Sequence, residues 1–207
     1  MTPARGDHDA RRTEVSEAVW RVLAERGFGG LTLRAVAAEL NASTGLLTHY
    51  FPNKRALVAY ALDLLDRHAV DRPRPAAART SPADGGLALL RAVLLDILPL
   101  TPEGVAGNRI WVGSWDAALA DPELAAEHAA RYRRARERLT ELVALAREQG
   151  ALAGEGSVEE VAAAAQGFVL GLVVQALFAP AEFPPARQVE LLDRYLDGLG
   201  GPAGGGR

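Results

Sequence analysis

Apolar residues recur at helical spacing along almost the whole chain. Val15, Ala18, Val19, Val22 and Leu23 make one stripe, and Gly27 after Arg26 supplies a stop, which predicts a helix over 10–26. Thr32 can cap a short helix carrying Leu33, Val36, Ala37 and Leu40. Asn41 follows where a left-handed residue is wanted, a conformation that asparagine tolerates. Ser43 caps the next short helix, over 43–51, and Pro52 helps to end it. Further helices are expected over 54–68, 87–98, 103–119, 122–149, 157–178 and 185–198. No run alternates apolar with polar positions in the β-branched manner of a strand, so the fold class is all-α.

The segment "DRPRPAAARTSPADGG" (71–86) is rich in Pro, Ala and Gly and reads as a linker. The resulting division is a three-helix head over 1–55, whose next helix leads onward, a helical body over 56–200, and a tail over 201–207. Val161 to Ala181 carries no charge and is long enough to span a bilayer. It is diluted by Ala, Gly and Gln, however, and its flanks Glu159, Glu160 and Glu182 are acidic rather than basic. A helix buried among protein neighbours, its own domain and a second copy, is the expectation; a core helix of a monomer is the alternative.

Charge changes this picture in one respect. The net charge of −3 argues against a nucleic-acid partner, but its distribution is uneven. Residues 1–55 hold eight Arg/Lys against six Asp/Glu, and the remainder fifteen against twenty, the sign expected of a DNA-facing head on an acidic body. The absence of cysteine excludes a disulfide framework and any thiolate metal site. The polar start "MTPARGDHDARR" has no apolar signal core, so a cytoplasmic protein is expected.

The two short helices, joined by Asn41-Ala42, form a helix-turn-helix. Its second helix, "STGLLTHYF", crowds bond-forming side chains together. If Leu46, Leu47 and Phe51 face inward, Thr44, Thr48, His49 and Tyr50 remain for double-stranded DNA, and Gly45 lets the backbone approach closely. Backbone N–H groups after Thr32, Ser43 and Asn53 suit phosphates, with Arg34 and Lys54 adding charge beside them. A cation at a helix N-terminus opposes the helix dipole unless an anion lies nearby, which favours a phosphate at Lys54. His49 also has a plainer reading, as a partly buried ring without a base contact.

The stretch "GFGGLTLRAVAAELNASTGLLTHYFPNKRALV" resembles the DNA-binding region of the TetR family of bacterial transcriptional regulators. The likeness covers about 12–60, with Asn41-Ala42 where Gly-Val is usual and Thr48-His49-Tyr50 where Tyr-Tyr-His is common. It implies that Thr32, Ser43, Thr44, Gly45, Thr48, His49, Tyr50 and Lys54 occupy DNA-contacting positions. Tyr50 and Lys54 would hold phosphates, and Thr44, Thr48 and His49 would read bases. It further implies a C-terminal regulatory domain that binds a small-molecule effector, dimerises through its last two helices and acts as a repressor on a palindromic operator. The expected homodimer seam uses Gly167, Gly171, Val174, Leu192, Tyr195 and Leu196, with Val189 beside them.

"NRIWVGSWDAALADPELAAEHAARYRRARERL" is similar to the choline-sensing BetI-like branch of that family. Trp111 and Trp115 are four apart, on one helix face with Asn108 and Leu119, and two indoles can form part of a cage for a quaternary ammonium. Either tryptophan alone is more simply read as core. Asp116, His128, Tyr132, Phe168 and Gln175 complete the candidate pocket, each equally a core residue. The arginine run "RYRRARERL" (131–139) points most of the way round its helix and reads as a solvated, salt-bridged face.

The rival classes are a helical enzyme and a small-molecule-binding interaction module without DNA binding. Walker, Gly-x-Ser-x-Gly and His-Glu-x-x-His motifs are absent, there is no cysteine nucleophile, and the four histidines are scattered. Asp63, Asp66 and His68 lie close without completing a metal set. No enzyme activity, no cofactor, no metal and no membrane partner are expected.

Overall fold

The computed structural model describes residues 5–71 and 74–200, the side chains of 5–10 and 69–71 excepted. The expected tail over 201–207, and Arg72 and Pro73 of the expected linker, lie outside the described residues. Helices α1 (Arg5–Arg26), α2 (Leu33–Glu39), α3 (Thr44–Tyr50), α4 (Lys54–Asp71), α5 (Pro75–Arg79), α6 (Gly86–Leu95), α7 (Pro102–Leu119), α8 (Pro122–Glu148), α9 (Val158–Phe178) and α10 (Pro185–Gly200) follow one another, with no strand among the described residues. The all-α expectation holds. The chain divides into two compact units, one holding α1–α4 with Arg109–Ala125, the other the remaining described residues.

The first unit is built on the stripe read from the sequence. Val15, Ala18, Val19, Val22 and Leu23 of α1 are buried with Val36 of α2, Leu47 of α3 and Leu57, Ala61 and Leu62 of α4. Ile110, Ala118 and Leu124 join the same core. The α2–α3 turn depends on Asn41, the single non-glycine residue with positive φ (49°) among those described. Its short polar side chain makes that conformation tolerable. Tyr60 of α4 braces the head twice: its hydroxyl lies 2.5 Å from that of Ser16, and its ring lies 5.1 Å from Phe51.

In the second unit α6 packs against α9 and α10. Arg91 of α6 clasps Asp193 of α10 at 2.6 and 2.9 Å. The interval read as a linker is instead largely structured. Prolines at helix starts cost no hydrogen bond, so Pro75 opens α5 and Pro82 opens a 3-10 turn over Pro82–Asp84. The Asp96 carboxylate fastens α5 by accepting the N–H groups of Ala76 and Ala77 at 3.0 and 2.9 Å.

α9 is the one described helix long and apolar enough to cross a membrane. One face, from Val161 through Ala165, Val169, Leu172 and Val173 to Ala176, is buried within its own unit. Ala163, Ala164, Gly167, Gly171 and Gln175 lie on the exposed side, and Phe178 ends it at 82% exposure. The arginine run on α8 departs from expectation. Arg131 approaches Glu127 at 3.9 Å and Arg136 donates to Gln166 at 3.4 Å, whereas Arg133, Arg134 and Arg138 stand exposed without an ion pair among the described residues. The acids three or four positions from them, Glu137 for Arg133 and Arg134 and Glu141 for Arg138, lie C-terminal to them, the weaker order for a helical ion pair.

Candidate nucleic-acid interface

α3 is seven residues long and buries one of them completely, Leu47. Phe51, just past its end, is 4% exposed, and Leu46 is half-buried rather than fully inward. Thr44, Gly45, Thr48 and His49 are therefore turned outward together, and Tyr50 is half-buried with its ring 6.4 Å from that of Phe51. Thr32 and Arg34 at the start of α2, Ser43 before α3 and Lys54 at the start of α4 are exposed as well.

The hydroxyls on this surface are not equivalent. Thr32 Oγ1 accepts the N–H of Ala35 at 3.0 Å and Ser43 Oγ that of Leu46 at 3.3 Å, so both act as helix caps. Thr48 is opposite in sense, its hydroxyl donating to the Gly45 carbonyl at 2.7 Å. Asn53 Oδ1 caps α4 through the N–H of Ala56 at 2.8 Å, leaving Lys54 in the first turn.

Lys54 and Arg55 are neighbours with different surroundings. Arg55 Nε lies 2.5 Å from Asp121 Oδ2, and its Nη2 lies 2.5 Å from Glu123. Asp121 also caps α8 by accepting the N–H groups of Glu123 and Leu124 at 3.0 and 3.3 Å. The hydrogen bond from Arg55 holds the Asp121 carboxyl down to about 2, and the two carboxylates raise Arg55 further above its already high value. Lys54 has no ion pair among the described residues. Sequence reasoning missed this clasp. "DPE" over 121–123 carries a capping signal for α8, but nothing local announces a partner sixty-six residues earlier.

The candidate effector residues fall in both units. Trp111, Trp115 and Asp116 belong to the first: Trp111 packs against its core, Trp115 is half-buried with its Nε1 buried and unpartnered, and Asp116 is exposed. Leu119, expected in line with the two tryptophans, is 79% exposed. In the second unit Asn108 is buried and donates to the carbonyls of Ile97 and Gly104 at 3.1 and 3.0 Å. His128 is buried edge-on to Tyr132, with centroids 5.9 Å apart, and its Nδ1 lies 3.0 Å from Arg131. Phe168 stacks on Tyr195 at 4.3 Å. Gln175 is exposed on α9, away from that helix's buried face. The buried polar residue overlooked on α9 is Gln166, whose amide donates to the Tyr132 carbonyl at 3.0 Å.

The expected seam residues also part company. Gly167 and Gly171 are exposed, and Val174 and Tyr195 are half-buried. Leu192 and Leu196, at 0% and 3% exposure, are spent on the chain's own core and offer no surface to a second copy. An amphipathic helix packed on its own unit turns its leucine stripe inward.

Two family descriptions match the chain. "Bacterial regulatory proteins, tetR family" covers 16–61, and "BetI-type transcriptional repressor, C-terminal" covers 87–201. The chain is 34% identical over 110 residues to the HTH-type transcriptional regulator PksA of Bacillus subtilis, a match spanning 53% of this chain and 52% of PksA. It is 32% identical over 124 residues to the HTH-type transcriptional regulator BetI of Burkholderia mallei, spanning 59% of this chain and 62% of BetI. A transcriptional regulator from Pseudomonas aeruginosa PAO1 superposes with a TM-score of 0.75 at 26% identity, covering 94% of this chain and 92% of that one. A regulator from Saccharomonospora viridis, solved in complex with choline, superposes at 0.80 with 19% identity, covering 91% and 96%, a likeness of fold. With its head matched over 16–61 and more than half its length matched beyond, the chain belongs to the TetR family of bacterial transcriptional regulators, with a BetI-type C-terminal region.

Proposed function

We propose that the protein represses transcription as a homodimer, each protomer laying α3 in the major groove of one half of a palindromic operator, until a small molecule releases it. The observation that carries the reading is the outer edge of α3. A helix that buries one side chain completely and exposes Thr44, Gly45, Thr48 and His49 is built to be read from outside. One such helix contacts too few base pairs to specify a site, so two copies roughly 34–36 Å apart, or a multiple, are needed. The exposed side of α9 supplies a seam: Gly167 and Gly171 allow close approach, and Phe178 gives it an apolar end.

DNase footprinting on fragments around the protein's own gene tests the reading. A protected palindrome is the expected result, and binding that makes no distinction between that fragment and random DNA overturns it. The effector class we propose is a quaternary ammonium. Support comes from the two tryptophans one turn apart on α7, and from the choline-bound regulator of the same fold. Choline and betaine aldehyde should each raise the melting temperature, and no shift at a large excess removes that class.

A further inference from the structure

The hydroxyls of the head differ in which way their protons point, and that difference sorts their partners. This inference rests on the operator-binding reading above. Thr32 and Ser43 use oxygen lone pairs to cap their helices, so each hydroxyl proton stays available to a phosphate oxygen. Thr48 has committed its proton to the Gly45 carbonyl at 2.7 Å and turns only lone pairs outward. A phosphate has no proton to offer it, and guanine N7 and O6 and thymine O4 have none either. In the major groove the donors are the exocyclic amines, adenine N6 and cytosine N4. To meet an acceptor, Thr48 would have to surrender its bond to Gly45 and exchange one hydrogen bond for another. Meeting an amine adds a bond and costs none.

We propose that Thr48 is a specificity-determining residue that acts as a pure hydrogen-bond acceptor, selecting an adenine or a cytosine at one position of each half-site through its exocyclic amine. The exposed position of Thr48 makes the selection testable without disturbing the core.

Full-length protein is used to select its preferred duplex from a random pool. Each adenine is then replaced singly by purine, which lacks N6, and each cytosine by 2-pyrimidinone, which lacks N4. Affinities are measured for the wild type and for Thr48→Val, which keeps the side-chain shape and removes only the hydroxyl. One amine per half-site should matter. Deleting it should cost the wild type about five- to a hundred-fold, and Thr48→Val should lose a similar factor on the intact duplex. On the duplex lacking that amine, the two proteins should bind within about two-fold of each other. A purine effect identifies adenine, and a 2-pyrimidinone effect identifies cytosine. The inference is overturned if Thr48→Val binds like the wild type, or if the two losses multiply independently at every amine. Failure to select any duplex would instead sink the operator-binding reading on which it stands.

Discussion

Replacing Lys54 and Arg55 one at a time separates two cations that composition treats as equal. Both open α4, but Arg55 is held by Asp121 and Glu123 whereas Lys54 has no ion pair among the described residues. A cation that neutralises a DNA phosphate releases a counterion, and each such contact contributes about 0.9 to the slope of log affinity against log salt. With two protomers on one operator, as proposed above, Lys54→Ala should be worth about 1.8 in slope. Between about 50 and 200 mM salt, the wild type should therefore lose about twelve-fold more affinity than the variant. Arg55→Ala should leave the slope within about 0.3 of the wild type, because its charge is already spent on carboxylates.

The assay is fluorescence anisotropy with one labelled duplex, repeated at several salt concentrations. Lys54→Ala should also weaken binding to unrelated duplexes in proportion, since phosphates carry no sequence. Two results refute the reasoning: an unchanged slope for Lys54→Ala, or an equal flattening by Arg55→Ala. The second would mean that the clasp opens on the operator and that both cations meet phosphates.

The remaining predictions concern the scaffold. Asn41→Val puts a β-branched residue at φ 49° and should cost about 1–2 kcal/mol, whereas Asn41→Gly should be tolerated; urea unfolding distinguishes them, and equal stability would contradict the strain at this turn. Gly86→Ala would place a Cβ 2.4 Å from the backbone nitrogen of Ala146, so α6 must move from α8 at a cost of about 1–3 kcal/mol, and a loss below about 0.5 kcal/mol in urea unfolding would show that the two backbones do not touch. An added Cβ at Gly171 meets nothing within 4 Å in the single chain, so Gly171→Arg should fold normally yet sediment as a monomer if α9 is the seam, and an intact dimer would exclude it. The Asp121 carboxyl, lowered from 3.8 to about 2, stabilises the fold above about pH 4 and stops doing so as pH falls through its folded value. The advantage of wild type over Arg55→Gln in unfolding experiments should accordingly fade between about pH 4 and 2, and an advantage independent of pH would refute the clasp.

How much of this was legible in the sequence follows from how local each determinant is. Helix stripes, the caps at Thr32 and Ser43 and the left-handed turn at Asn41 depend on neighbours within four residues, and each stands where the pattern placed it. The resemblance of that stretch also led to the family. The division of α9 into buried and exposed sides could not be read, because the helix is apolar all round and has no polar stripe to mark a face. The leucines of α10 illustrate the same limit from the other side. The resemblance assigned Leu192 and Leu196 to the seam, but their four-residue spacing alone does not say whether their own unit or a second copy covers them, and their own unit does. The α5 interval misled for a different reason: proline and glycine punctuate loops, yet proline also opens helices, and the fastening of α5 depends on Asp96, some twenty residues later.

Ion pairing then decides what the small positive excess of the head can do. Arg11 pairs with Glu14 and Arg21 with Glu39, while Arg55 is taken by two carboxylates that come from beyond the first 100 residues. Each pair cancels much of its own field within a Debye length, about 8 Å at physiological salt. Arg34 and Lys54, exposed in the first turns of α2 and α4, have no such partners among the described residues. Arg12 and Arg26 of α1 are likewise exposed without an ion pair among the described residues, and Arg34 and Lys54 are the unpaired cations that lie nearest α3 along the chain. On the proposed operator-binding reading, the placement of free cations, more than the count of charges, sets the pull on DNA, and a head with little net charge holds a duplex through unpaired cations that flank the reading helix in the chain.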